Sequence, residues 1–138
     1  MKFKFEIPVF GDIDYRGQCP PEAIEQVTFF NVLRRDYPEL AMVATHIRNE
    51  GKRHSMQTMK QKAEGMVKGA SDVIIPASMA FVCEIKRQDH TQSRWQEGQE
   101  NYLLTAQKLG AFACVALGHK GALEALEAWN TTRTMKNG

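Results

Sequence analysis

The fold is decided by residues 69–86, which read GASDVIIPASMAFVCEIK. Two apolar, β-rich segments, Val73–Ile75 and Ala80–Ile85, flank the short connection Pro76–Met79. This pattern predicts a hairpin of two antiparallel strands. A turn centred near Ser78 would make residues at equal distances on either side of it cross-strand neighbours.

Two carboxylates and a lysine lie in this hairpin. Asp72 and Glu84 are equidistant from Ser78, so we expect them to face each other. Because side chains alternate along a strand, Lys86 shares the face of Glu84, and Ile85 points into the core. Facing carboxylates repel each other unless they share a proton or a divalent cation. Hard oxygen ligands suit Mg²⁺ or Mn²⁺ better than zinc.

The grouping is typical of metal-dependent phosphodiester hydrolysis. Beside an ion, Lys86 could hold or deprotonate the attacking water and offset charge on the scissile phosphate. Glu-x-Lys alone is more often a solvated strand face. The matching Asp72 on the partner strand favours a site, because a charged trio in an otherwise apolar hairpin is costly unless it is used.

These residues resemble the PD-(D/E)XK nuclease superfamily, whose signature is an Asp, a spacer and Glu-x-Lys. The wider context resembles its virus-type replication-repair nuclease branch, the VRR-NUC domain, from about Glu22 to Trp129. The matching segments are Glu25–Gln26, His46, Arg48–Gly51, Ala63–Gly65, Lys68–Gly69, Gln99, Leu109–Gly110 and Ala122–Trp129. One departure is Ser71, where the family usually has a proline that presets the backbone.

The resemblance implies an α/β fold with a restriction-endonuclease-like PD-(D/E)XK core, a central four-stranded mixed sheet flanked by helices. It implies a Mg²⁺-dependent DNA endonuclease, with Mn²⁺ as a substitute and no nucleotide cofactor. The metal ligands would be Asp72, Glu84 and the Ile85 carbonyl, joined by a carboxylate of the first helix. Glu25 is the expected helix carboxylate, and Glu22, one turn earlier on the same face, is the alternative.

Two amides are expected to support the site. Gln99 opens the helix after the hairpin in the place of the family's glutamine, from which it could hydrogen-bond Lys86 or a phosphate oxygen. Gln96 fits this register less well. Asn49 is the second candidate, and an ordinary solvated amide is the alternative for both.

Basic residues are concentrated just before the hairpin, although the formal net charge of the chain is only +2. A phosphate backbone would need to lie there, and a solvated face is the alternative. The expected nucleic-acid-binding residues are Arg48, Asn49, Lys52, Arg53 and Lys68. Such contacts give affinity without base specificity.

Length and composition limit the class of protein. The 138 residues suit a single domain, 1–138. Without a membrane-length apolar run or a signal-peptide pattern, we expect a cytoplasmic protein of a phage or bacterial host cell. The three cysteines and four histidines lack the spacing of a disulfide framework or a zinc site. Cys83 and Cys114 are expected in the core.

Apolar periodicity predicts the remaining elements. Helices are expected over 21–37, 55–67, 95–109 and 121–130, and further strands over 41–47 and 111–117. Ile24, Val27 and Phe30 should be the buried side of the first helix. The methionine stripe of the second helix, which includes Met59 and Met66, is expected in the core. The polar tail 131–138 should be frayed.

Residues 1–19 are assigned outside the nuclease core. Alternation of Phe3, Phe5, Ile7 and Val9 with polar residues predicts a half-buried strand, and Pro8 favours a sheet edge. The strand could form a homodimer interface or pack on the edge of its own sheet. Small standalone members of the family are implied to act as homodimers, since two symmetric incisions in a four-way junction require two sites.

A second class of function is a nuclease-fold module that binds nucleic acid, or scaffolds a replication complex, without cutting. The complete set of Asp72, Glu84 and Lys86 argues against it, because a binding module has no use for a costly charge cluster.

Overall fold

The chain forms a mixed sheet with helices on both faces. The structure is a computed structural model that describes residues 6–47 and 55–137. The strands are β1 (Val9–Phe10), β2 (Thr45–His46), β3 (Val73–Ile75), β4 (Phe81–Lys86) and β5 (Phe112–Leu117). The helices are α1 (Glu22–Asp36), α2 (Pro38–Ala41), α3 (Ser55–Ala63), α4 (Gln99–Lys108) and α5 (Gly118–Asn137), with a 3₁₀ turn at His90–Gln92.

The sheet has five strands in the order β1-β5-β4-β3-β2, so the expectation of four strands is wrong. The strands β1, β5 and β4 are mutually parallel neighbours, whereas β3 and β2 run antiparallel to theirs. The added strand is β1, whose Val9 lies opposite Val115. Ile7 just before it is buried in the core. Of the two predicted alternatives, the N-terminal segment therefore takes the one in which it packs on the edge of its own sheet. Phe3 and Phe5 lie outside the described residues.

The predicted hairpin is confirmed in its register. Val73 pairs with Cys83, and Ile75 pairs with Phe81. Extension of this register by one residue sets Asp72 opposite Glu84, as a turn centred on residue 78 requires.

The two faces of β4 pack against different helices. Phe81, Cys83 and Ile85 join a core built with α1 and α5, in which Trp129 is fully buried. Val82 faces the other way, against Leu103 of α4. Since side chains alternate, Glu84 and Lys86 lie on the α4 face, and every residue of β4 is buried. Glu84 and Lys86 therefore lie inside the protein, whereas Asp72 on the facing strand is half-buried.

The buried face of helix α1 agrees only in part with the prediction, since Phe30 packs against the core but Ile24 and Val27 do not. Its buried residues are Glu25, Phe29 and Leu33, which are spaced four apart. Ile24 and Val27 are 51% and 54% exposed, so their predicted burial is wrong. The buried face of α1 includes a charged residue, Glu25. Apolar periodicity alone does not predict the burial of a charged residue.

Several other boundaries differ from prediction. Helix α4 begins at Gln99 rather than near residue 95, because Gly98 ahead of it has a left-handed φ of 91°. Helix α5 continues to Asn137, so the tail expected to fray is helical over its described part. Met59 and Met66 are exposed, and their predicted place in the core is wrong. Cys83 and Cys114 are buried, as predicted.

No helix within 6–47 and 55–137 has the length and apolar character needed to cross a membrane.

Candidate metal and catalytic site

Asp72 and Glu84, called the carboxylate pair below, meet where β3 begins beside β4. Asp72 Oδ2 accepts a hydrogen bond of 2.8 Å from the Ile85 backbone N–H. Glu84 is 1% exposed. Burial and the neighbouring Asp72 carboxylate raise the pKa of Glu84 well above its usual value, and Lys86 partly opposes this shift. Without a cation, the pair therefore favours a bound proton.

The two oxygens of Glu84 differ in their partners. Oε1 accepts a hydrogen bond of 3.1 Å from Gln99 Nε2. Oε2 is buried and has no hydrogen-bond partner within the described part of the chain. A buried carboxylate oxygen without a donor is costly, and a divalent cation would relieve both this cost and the repulsion of Asp72. The donors thus fit a hard cation such as Mg²⁺.

Further acidic ligands are not gathered here. Across residues 6–47 and 55–137, no group of three or more His, Cys, Asp and Glu is arranged to hold a metal ion. Besides the carboxylate pair, the predicted ligands of an ion are the Ile85 carbonyl and a carboxylate of α1.

Lys86 is enclosed by uncharged groups. Its Nζ donates hydrogen bonds of 2.7 Å to the Arg94 carbonyl and 2.8 Å to Gln99 Oε1. It also lies 4.6 Å from the ring centroid of Trp95, a cation–π distance. Sequence reasoning missed Trp95, whose only signal is an aromatic residue shortly before the helix that carries Gln99. The ammonium is thereby held in one position next to the carboxylate pair.

Gln99 links the lysine to the carboxylate pair. Its Oε1 accepts from Lys86 and also from the Gln96 backbone N–H at 2.9 Å, while its Nε2 donates to Glu84. The predicted contact between Gln99 and Lys86 is therefore present. Gln96 contributes only its backbone to this network, in agreement with its poorer register.

Two glycines hold α4 against the hairpin. A Cβ on Gly69 would overlap the Gly98 carbonyl carbon and the Gln99 backbone nitrogen. A Cβ on Gly98 would approach the Lys68 carbonyl oxygen to 2.7 Å. This backbone contact places Gln99 over β4. In the sequence, the contact is indicated only by two glycines that lie far apart.

Ser71 precedes Asp72 where the family usually has proline. Its hydroxyl is buried and lacks a partner among the residues described. The neighbouring backbone is fixed instead by β2, since Asp72 O accepts from Ile47 N at 3.3 Å and lies 2.9 Å from His46 Nδ1. These contacts hold the Asp72 backbone, directly after Ser71, against the adjacent strand.

The two glutamates of α1 have different surroundings. Glu25, the first choice for a ligand, lies at the start of α5, where it accepts 3.1 Å and 3.0 Å contacts from His119 N and Nδ1. It acts there as a cap for the helix N-terminus. Glu22 is instead among the charges that raise the pKa of Glu84. Its Oε2 accepts a 2.7 Å hydrogen bond from Ser93. Glu22 thus acts on Glu84 through its charge, whereas the contacts of Glu25 are with His119.

The residues predicted to bind nucleic acid fall mostly outside the described part of the chain. Arg48, Asn49, Lys52 and Arg53 lie outside the described residues. Lys68 is exposed and forms a 2.9 Å ion pair with Glu97. Exposed pairs of this kind contribute little to stability, so Lys68 can exchange its partner easily.

Comparison with known proteins supports the fold. No family model matches the sequence, and no curated protein matches it. A solved structure described as "VRR_NUC domain protein" is similar, with a TM-score of 0.66 and 20% sequence identity. The match covers 83% of this chain and 90% of that chain. The chain therefore has the fold of a VRR-NUC domain, and the resemblance noted in the sequence is confirmed as a shared fold.

Proposed function

We propose that this chain is a Mg²⁺-dependent nuclease that hydrolyses phosphodiester bonds in DNA in the cytoplasm. The observation that carries the proposal is the carboxylate pair, in which Glu84 is buried and its Oε2 has no partner among the described residues. Its neighbour Lys86 is held by three uncharged groups. The VRR-NUC fold adds support, since the name of the similar structure denotes a nuclease domain.

Each residue of the site has a proposed role. Asp72, Glu84 and the Ile85 carbonyl would hold Mg²⁺ or Mn²⁺, which when bound would stabilise charge on the phosphoryl group and activate a water. Lys86 orients that water and offsets negative charge in the transition state. Gln99 keeps Lys86 and Glu84 at a fixed separation. Glu22 replaces Glu25 as our candidate for the helix carboxylate.

The assembly proposed is a homodimer acting on branched DNA, such as a four-way junction. Two symmetric incisions need two active sites, which a two-fold dimer supplies. Light scattering at micromolar concentration, with and without junction DNA, tests this part. A monomer in both conditions, cutting junctions in pairs, would overturn it without affecting the chemistry.

The chemistry is tested with a panel of labelled DNA substrates: duplex, single strand, flap and four-way junction. Wild type, Asp72→Asn, Glu84→Gln and Lys86→Met are compared in Mg²⁺ and in EDTA. We expect cleavage by wild type in Mg²⁺ alone. Equal cleavage by all four proteins, or cleavage in EDTA, would contradict the proposal. Binding of DNA by wild type without cleavage in Mg²⁺, or in Mn²⁺ as its substitute, would favour the alternative of a binding or scaffolding module.

A further inference from the structure

Arg87, the residue after Lys86, is a cation without a counter-ion in the described structure. Its side chain is half-buried, and its Nη2 donates a 2.6 Å hydrogen bond to the Cys19 carbonyl. Its Nε is buried without an acceptor among the residues described. No carboxylate within 6–47 and 55–137 comes within the 4.0 Å ion-pair distance of its guanidinium.

The nearest acidic residue in sequence does not compensate this charge. Asp89 is already satisfied by four donors, which are Gly17 N, Thr91 N, Thr91 Oγ1 and Gln92 Nε2. These hydrogen bonds lower the pKa of Asp89 below its usual value. Arg87 is not among the causes of that shift. Because a partly buried cation without a partner is costly, an external anion would stabilise Arg87.

An open cavity gives such an anion a place to bind. It is lined by Gly17, Gln18, Cys19, Arg87 and Gln92. Its wall is fixed by hydrogen bonds, since Gln92 Nε2 donates 2.7 Å to the Gly17 carbonyl. Arg87 therefore borders a wide, solvent-open depression whose rim is tied by this hydrogen bond.

The cavity is connected to the candidate catalytic site. Arg87 N donates 2.8 Å to Ser93 Oγ, and Ser93 Oγ donates 2.7 Å to Glu22 Oε2. Arg87 also follows Lys86 directly, so their Cα atoms are about 3.8 Å apart. Glu22 is in turn among the charges that act on Glu84, so this network leads from Arg87 to the carboxylate pair.

We infer that Arg87 and its cavity form a phosphate subsite, which binds a backbone phosphate next to the one that is cleaved. Because Nη2 donates to the Cys19 carbonyl, the guanidinium offers a phosphate its positive charge and the donors of Nη1. This inference rests on the proposed function for the identity of the substrate, but phosphate binding itself does not depend on cleavage.

Phosphate binding is measured first, without DNA or metal. Inorganic phosphate is titrated into wild type while the arginine Nε–Hε signals are followed by NMR. We expect a saturable shift of the Arg87 signal that exceeds the shift of exposed Arg34. A shift of Arg87 no larger than that of Arg34 would overturn the inference. A saturable Arg87 shift in a protein that cuts no DNA would support the subsite and reject only the nuclease.

Steady-state cleavage then separates binding from chemistry. Arg87→Gln should raise KM about tenfold with kcat changed less than twofold, and should reduce the slope of log binding against log salt by about one. Arg34→Gln is the matched control, because it removes the same charge from the exposed end of α1. Equal effects of the two variants would contradict a specific subsite.

Arg87→Lys distinguishes phosphate binding from support of the Cys19 loop. Lysine keeps the charge but loses the guanidinium geometry that contacts Cys19 O. We expect the KM of Arg87→Lys to stay close to that of wild type, even if its melting temperature falls as far as that of Arg87→Gln. If KM instead follows the melting temperature in both variants, Arg87 is a structural residue and the inference fails.

Discussion

Two buried glutamates, Glu84 on β4 and Glu25 on α1, show how similar burial can serve different purposes. Their exposed fractions are 1% and 3%. Glu25 is satisfied by two contacts from His119 at the start of α5. Glu84 faces Asp72 and retains an oxygen without a partner in the described structure. Burial alone therefore does not indicate a functional site. A buried carboxylate that faces a second carboxylate and keeps an oxygen without a hydrogen-bond partner does indicate one.

The comparison predicts opposite consequences for the two amide variants. Glu84→Gln should lower the cleavage rate about a thousandfold, because an amide cannot replace the anionic metal ligand. Glu25→Gln should cost about 1 to 2 kcal/mol in unfolding free energy, because it weakens the cap of α5. Cleavage kinetics and urea unfolding of both proteins provide the measurement. A larger loss of activity in Glu25→Gln than in Glu84→Gln would reverse the assignment.

A substitution at Gly69 tests whether the close packing of α4 on the hairpin holds Gln99 in contact with Glu84. Gly69→Ala should destabilise the protein by about 3 kcal/mol, since the new Cβ meets backbone rather than a movable side chain. Gly65→Ala is the control, because Gly65 also has a positive φ of 103° but has no atom near its added Cβ. That variant should lose only about 1 kcal/mol. Equal losses by thermal unfolding would show that the contact with Gly98 is unimportant.

The hairpin was predictable from the sequence, whereas the surroundings of its charges were not. A period of two and a central connection determine the pairing of Asp72 with Glu84. The role of Glu25 depends on where α5 begins. Gly118 permits the close approach of Glu25 because it has no Cβ, and a Cβ there would overlap Glu25 Oε2. The contact between Glu25 and His119 joins residues that are 94 positions apart, so it leaves no local pattern in the sequence.

Gln99 accounts for part of the difference between Glu84 and Glu25. It donates a hydrogen bond to one oxygen of Glu84 and leaves the other oxygen without a partner among the described residues. Gln99→Ala should slow cleavage about tenfold, because Lys86 and Glu84 lose their common link. Gln96→Ala is the control, because only its backbone takes part in the network. Rates are compared at saturating metal, together with circular dichroism. An unchanged rate for Gln99→Ala would make Gln99 an ordinary buried amide.

The raised pKa of Glu84 predicts how stability depends on pH in the metal-free protein. The unfolded chain releases the Glu84 proton near the ordinary value of 4.5, but the folded protein retains it to higher pH. The contribution of Glu84 is therefore fully present below pH 4.5 and is lost as pH rises through its folded pKa. Urea unfolding in EDTA should show wild type losing stability relative to Glu84→Gln over this range. Parallel pH profiles of the two proteins would contradict the raised pKa.

Calorimetric titration of Mn²⁺ or Mg²⁺ tests the central claim most directly, which is that the carboxylate pair binds a divalent cation. The account predicts saturable binding to wild type, loss of binding in Asp72→Asn and Glu84→Gln, and retention in Glu25→Gln. Binding that persists in Asp72→Asn and Glu84→Gln, or that disappears only in Glu25→Gln, would contradict it.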